Sequence, residues 1–174
     1  MKKIAHYTWS VLLMALFCSQ PLFAQEESSD SKVPSIKLKD LSGKEVDFKS
    51  YAENGKITIV SFWATWCSPC KKELDNINVL LPEWEADYGV ELIAVSIDNA
   101  RNATKVKPYV SGKGWDFDVL LDVNEDTKRA LNYGPIPYAI IIDQKGEIVY
   151  KHSGYYEGDE YALEDEIIKI LEKE

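Results

Sequence analysis

The pattern of apolar and polar positions predicts a chain in which strands and helices alternate. Short runs rich in β-branched and aromatic residues predict strands at 57–63, 90–97, 117–121, 138–142 and 147–151. Apolar residues that recur every three or four positions predict helices at 68–88, 101–111, 124–133 and 159–172. This alternation is typical of an α/β domain with a central mixed sheet flanked by helices.

A β-hairpin is predicted ahead of these elements, within residues 33–51. Apolar side chains alternate with polar ones on both sides of a turn at 41–44, and they are Ile36, Leu38, Val46 and Phe48. Further along, Pro82 lies deep inside the helix predicted over 68–88. Because proline removes a backbone hydrogen bond and clashes with the preceding turn, we expect a kinked helix or two short ones.

The first 24 residues are typical of a secretory signal peptide, with Lys2 and Lys3 ahead of a short apolar core. An uncleaved membrane anchor and lipidation at Cys18 are the alternatives. Residues 25–32 are polar and without periodicity, which predicts a disordered leader. Residues 33–174 then form the single remaining domain.

The net charge of the chain indicates which classes of binding partner to expect. Without Lys2 and Lys3 the chain carries 18 positive and 29 negative residues, a formal net charge of −11. Such an acidic chain gives no indication of binding to nucleic acid or to an anionic membrane. About 150 residues remain after the predicted signal, enough for one domain with a substantial core.

The candidate chemistry lies where the strand 57–63 meets the helix 68–88. Cys67 and Cys70 are separated by Ser68 and Pro69 at this junction. A helix start offers unpaired backbone N–H groups and a positive dipole end, and both favour a thiolate over a thiol. The spacing therefore predicts a dithiol that cycles with a disulfide.

Two structural alternatives to a redox pair are a zinc half-site and two inert core cysteines. Zinc usually needs four ligands, and beyond residue 24 the only other cysteine or histidine is His152. Inert cysteines do not require a proline between them at a helix start. A Cys-x-x-Cys between a buried strand and a helix therefore favours redox chemistry without a metal.

The segment Phe-Trp-Ala-Thr-Trp-Cys-Ser-Pro-Cys-Lys-Lys-Glu at 62–73 resembles the active site of the thioredoxin superfamily, and in particular its TlpA/ResA-like branch. The resemblance covers the chain from about Val33 to its end. It implies a thioredoxin-like fold with an N-terminal β-hairpin and a mid-domain α/β insertion at 117–133. Relatives usually carry a proline five residues after the second cysteine, where this chain has Asp75.

The resemblance also implies roles for particular residues. Cys67 is the expected nucleophile and Cys70 the resolving thiol, and the two form the redox-active disulfide. Glu73 matches an active-site acid, with a solvated residue at the helix start as the alternative. Thioredoxin itself keeps a buried aspartate at the place of Ser61.

The substrate-binding residues implied by the resemblance flank the two cysteines. Pro137 matches a cis proline that faces the dithiol, and it leaves the backbone groups of Ile136 available to a substrate. Trp66 is expected at the surface around Cys67, whereas Trp63 is expected in the core.

The function that we expect is that of an extracytoplasmic, most simply periplasmic, thiol–disulfide oxidoreductase. The resemblance implies reduction of protein disulfides, for example in cytochrome c maturation, with electrons from a membrane or soluble donor and with no cofactor or metal. One alternative is a peroxidase, but peroxiredoxins carry proline and threonine where this chain has Val60 and Ala64. The other is a binding or chaperone module without turnover.

Overall fold

The computed structural model of the chain describes residues 31–173, so the predicted signal peptide and most of the predicted leader lie outside the described residues. The strands are β1 (Lys37–Asp40), β2 (Glu45–Asp47), β3 (Thr58–Trp63), β4 (Glu91–Ser96), β5 (Asp118–Leu121), β6 (Tyr138–Ile142) and β7 (Ile148–Ser153). The helices are α1 (Ser68–Tyr88), α2 (Val106–Lys113), α3 (Asp126–Leu131) and α4 (Asp159–Leu171).

The strands form one mixed sheet in the order β2-β1-β5-β4-β3-β6-β7, which confirms the predicted α/β class. The predicted hairpin is the antiparallel pair β1–β2. Strands β3, β4 and β5 run parallel, and β6 is antiparallel to β3 with Tyr138 opposite Phe62. The ends of β3 and β4 and the start of β6 therefore meet at one edge of the sheet.

Each face of the sheet is covered by its own apolar cluster. Along β3, Ile59 and Trp63 belong to the cluster that includes buried residues of α1 and α4. Val60 and Phe62 belong to the cluster on the opposite face. Because side chains alternate along a strand, Ser61 points to the same face as Trp63 and meets α1.

Helix α1 is continuous through Pro82. Of the two outcomes expected for this segment, a kinked helix or two short helices, the structure excludes the two short helices. Its buried apolar residues lie on both sides of the proline, and they are Leu74, Ile77, Leu81 and Trp84. Burying each such side chain contributes about 1.5–3 kcal/mol, and together they outweigh a proline cost of about 3 kcal/mol. Packing therefore holds the helix together to Tyr88, after which Gly89 ends it in the left-handed conformation.

The helix predicted over 124–133 is shorter than expected and spans Asp126–Leu131. Its buried side chain is Thr127, whereas Ala130 is exposed. Thr127 faces inward because its hydroxyl donates a hydrogen bond to the buried carboxylate of Asp122.

Within residues 31–173, no helix combines the length and the apolar character that a membrane crossing requires.

Candidate active site

Cys67 and Cys70 form a disulfide at the start of α1, with 1.96 Å between the sulfurs and 5.4 Å between the Cα atoms. Cys67 caps the helix, and its sulfur accepts a hydrogen bond from the Cys70 backbone N–H at 3.3 Å. Pro69 lies in the first turn, where its missing N–H is not needed. The Cys67 sulfur thus lies where the helix favours negative charge.

The two cysteines differ little in exposure. Cys67 is 5% exposed and Cys70 is fully buried. Ser68 and Pro69, which lie between them, are exposed. A substrate sulfur can therefore approach the disulfide from the side of this exposed turn. From that side Cys67 is the more accessible of the two cysteines.

The lysines that follow the dithiol are both engaged with other groups. Lys71 Nζ donates to the Thr65 carbonyl oxygen at 3.1 Å and lies 5.5 Å from the centre of the Tyr109 ring. Lys72 Nζ pairs with a Glu157 carboxylate oxygen at 2.6 Å. Backbone groups at the helix start are therefore the more direct source of thiolate stabilisation.

Glu73 is buried beneath the dithiol end of α1, so the alternative of a solvated residue at the helix start is wrong. Its side chain is 2% exposed, and Oε2 accepts a hydrogen bond from Ser61 Oγ at 2.8 Å. Burial is the main reason that the pKa of Glu73 is raised to about 7. The Ser61 hydrogen bond lowers this pKa, while the charges of Asp159 and Glu160 raise it.

The residues expected to contact substrate lie on the two segments that flank the cysteines. Trp66 is 60% exposed, one residue before Cys67. The Ile136–Pro137 bond is cis, as the resemblance led us to expect. Pro137 is buried and Ile136 half-buried at the start of β6, beside the end of β3. Trp63 is fully buried, which confirms its predicted place in the core.

Sequence reasoning did not select Asp98, although the structure connects it to the cysteine loop. Its buried carboxylate accepts hydrogen bonds from both the backbone N–H and the hydroxyl of Thr65. The available signal was an aspartate directly after the predicted strand 90–97. Because parallel strands end at the same edge of a sheet, such a residue lies beside the end of β3.

Asp75, at the position where relatives usually carry proline, joins α1 to the last residue of α2 and to Trp115 just beyond it. One carboxylate oxygen accepts a hydrogen bond from Trp115 Nε1 at 3.0 Å. The other pairs with Lys113 Nζ at 2.5 Å. The indole of Trp115 in turn packs edge-on against Trp63, with 5.1 Å between ring centres. The aspartate that replaces the usual proline therefore makes two side-chain contacts, with Trp115 and with Lys113.

The two positions that carry proline and threonine in peroxiredoxins are buried and apolar here. Val60 and Ala64 are fully buried, and neither can donate a hydrogen bond from its side chain. The nearby hydroxyl of Thr65 is already bonded to Asp98 at 2.8 Å. Neither of these two described positions therefore carries the proline or the hydroxyl of the peroxiredoxin pattern.

Comparison with known proteins gives consistent matches over most of the chain. Residues 30–151 match the AhpC/TSA family. The chain is 34% identical over 132 residues to the thiol-disulfide oxidoreductase ResA of Bacillus thuringiensis (strain Al Hakam), across 75% of this chain and 73% of that protein. It is 30% identical over 169 residues to ResA of Bacillus thuringiensis subsp. konkukian, across 92% and 94%.

Solved structures agree with these matches. A thioredoxin-like protein from Porphyromonas gingivalis is 44% identical and has a TM-score of 0.73, across 82% of this chain and 94% of that chain. StoA from Bacillus subtilis is 25% identical and has a TM-score of 0.61, across 76% and 95%. The expected thioredoxin-like fold is confirmed.

Proposed function

The chain belongs to the AhpC/TSA family and to the ResA-like thiol–disulfide oxidoreductases, and we propose that it reduces disulfides of other proteins outside the cytoplasm. The observation that carries this proposal is the Cys67–Cys70 disulfide at the start of α1. A pair that closes into a disulfide at a helix start is suited to exchange with a second disulfide.

In the proposed reaction the Cys67 thiolate attacks one sulfur of the substrate disulfide. A bond forms between Cys67 and that sulfur, the substrate S–S bond breaks, and the second substrate sulfur leaves as a thiolate. Cys70 loses its proton and attacks the Cys67 sulfur, which closes the Cys67–Cys70 disulfide and releases the first substrate sulfur. Two electrons pass to the substrate, whose two thiolates take up protons from the solvent, and a membrane or soluble dithiol donor restores the protein.

Glu73 is the proposed proton acceptor in the second step. Near neutral pH its carboxyl exists in both protonation states, because burial raises its pKa to about 7. It can therefore take the proton that Cys70 must lose and return it when the dithiol is regenerated. Ser61 holds the carboxyl by a hydrogen bond of 2.8 Å.

Trp66, Ile136 and Pro137 are the proposed substrate contacts. The exposed indole of Trp66 offers an apolar surface beside Cys67. On the other side, the backbone groups of Ile136 offer hydrogen bonds to an extended substrate segment, in the manner of an added strand. A substrate held between these two segments would present its disulfide to Cys67.

The proposed location follows from the predicted signal peptide over residues 1–24 and from the chemistry, since protein disulfides persist outside the cytoplasm. Within that space we propose the disulfides of cytochrome c maturation as substrates, on the strength of the family resemblance. The thiols carry the electrons themselves, so the proposed reaction calls for no nucleotide, haem or metal.

Trapping of partners tests this proposal. A Cys70→Ser variant expressed with its own N-terminus should accumulate mixed disulfides between Cys67 and its substrate proteins, because the resolving thiol is missing. The double variant Cys67→Ser, Cys70→Ser is the matched control and should trap none. Consumption of hydrogen peroxide without reduction of any protein disulfide would replace this proposal with a peroxidase. Unchanged function of the double variant in the cell would replace it with a binding module.

A further inference from the structure

Three hydrogen bonds converge on the buried carboxylate of Asp98. The side chain is 1% exposed and follows β4. Thr65 donates both its backbone N–H and its hydroxyl to this carboxylate, each at 2.8 Å. Ser96 Oγ donates the third hydrogen bond, at 2.9 Å. Two of the three donors thus belong to the residue two positions before Cys67.

The loop that carries Cys67 is also held from the side of α1. Lys71 Nζ donates to the Thr65 carbonyl oxygen at 3.1 Å. The Cys67 N–H donates to the Ala64 carbonyl oxygen at 3.0 Å, which closes a tight turn. Thr65 is therefore bound on one side to the end of β4 and on the other to the first turn of α1.

We propose that Asp98 is a positioning residue for the redox reaction, and this inference rests on the proposed roles of Cys67 and Cys70. By holding Thr65, it keeps the Cys67 sulfur at the start of α1 beside Cys70. A thiol already held near its partner loses less conformational freedom when the disulfide closes. A loosened loop should therefore make the disulfide less stable relative to the dithiol.

The measured quantity is the equilibrium constant for oxidation by glutathione. In this reaction the reduced protein and one glutathione disulfide give the Cys67–Cys70 disulfide and two molecules of glutathione. Asp98→Ala removes both carboxylate oxygens that accept these hydrogen bonds. We expect the equilibrium constant for oxidation to fall about tenfold, which corresponds to the loss of one charge-assisted hydrogen bond. Asp98→Asn keeps an oxygen acceptor of the same shape but removes the charge, and its constant should stay within about threefold of the wild-type value.

These two variants separate positioning from charge. An equal fall in both would mean that Asp98 acts through its charge alone, which would overturn the inference. An unchanged constant in Asp98→Ala would overturn it as well. If Asp98→Ala does not fold, Thr65→Val decides, because it removes one hydroxyl at a half-buried position. Its constant should fall about threefold, whereas Thr65→Ser should restore the wild-type value, and equal constants for the two would contradict positioning.

Asp122 supplies a matched control. It is also 1% exposed, follows β5, and accepts hydrogen bonds from the backbone N–H and the hydroxyl of Thr127. Asp122→Ala should lower the free energy of unfolding but leave the glutathione equilibrium constant unchanged. A fall equal to that of Asp98→Ala would mean a general loss of stability and would overturn the inference. Since the measurement needs only glutathione, its outcome is independent of whether protein disulfides are the substrates.

Discussion

Ser61, in the middle of β3, donates its hydroxyl to the Glu73 carboxylate of α1 at 2.8 Å. Both side chains are buried. Thioredoxin, which this chain resembles, keeps a buried aspartate at the place of Ser61, and here the buried carboxyl comes from the helix instead. The hydroxyl of Ser61 supplies the hydrogen bond that holds this carboxyl against the strand.

Removing the Glu73 carboxyl should change the pH dependence of exchange. We expect Glu73→Gln to slow reduction of a protein disulfide more at pH 7 than at pH 9–10, because hydroxide makes an internal proton acceptor unnecessary. The expected loss at pH 7 is about a hundredfold, at the lower end of the range for general acid–base catalysis. Stopped-flow rates across this pH range would measure it, with Glu83→Gln, exposed on the same helix, as the control. An equal loss at every pH would indicate a structural role.

Glu73 should also make the stability of the oxidised protein depend on pH. Its pKa is raised from 4.5 to about 7, so between these values the native state keeps a proton that the unfolded state has released. The stability that this group contributes is present below pH 4.5 and is lost as the pH rises through 7. The total loss is about 3 kcal/mol.

Urea unfolding of the oxidised protein at pH 5 and pH 8.5 would measure this loss. The wild-type free energy of unfolding should fall between the two pH values by roughly 2–3 kcal/mol more than that of Glu73→Gln. Because the disulfide is closed, the cysteines do not titrate in this range. Parallel falls in the two proteins would show that Glu73 is not the group that titrates.

Asp75 should stabilise the fold mainly through Trp115 rather than through Lys113. Asp75→Ala leaves the N–H of the buried Trp115 without its acceptor and should lower the free energy of unfolding by about 1–3 kcal/mol. Lys113→Ala removes a partly exposed ion pair and a cation–ring contact with Tyr109 at 5.9 Å, and it should cost about 1 kcal/mol. Chemical denaturation of both variants would test the order, and a larger effect of Lys113→Ala would contradict it.

The reduction potential should be that of a reductant. Strong oxidants stabilise their reduced thiolate heavily, but here Lys72 is paired with Glu157, and no cation lies between the two sulfurs in sequence. We therefore expect a value nearer to that of thioredoxin, about −270 mV, than to that of DsbA, about −120 mV. Equilibration with dithiothreitol or glutathione buffers and a count of free thiols would measure it. A value more positive than about −180 mV would favour an oxidase or isomerase.

The sequence by itself determined the order of the elements and the place of the dithiol. Strand β6 has the bounds predicted for it, 138–142, and α1 begins at the predicted Ser68. These features depend on periodicity, on proline at a helix start and on residue spacing, which act between neighbours in the chain. The position of Cys67 at the junction of β3 and α1 is therefore local information.

Only the tertiary structure decided which polar side chains are buried together. The contacts concerned span 12, 33 and 40 residues, between Ser61 and Glu73, Thr65 and Asp98, and Trp115 and Asp75. Each contact depends on which strands and helices are neighbours in space, and no local sequence pattern encodes that arrangement. Burial against β3 is what turns Glu73 from an ordinary acid at a helix start into a group that titrates near pH 7.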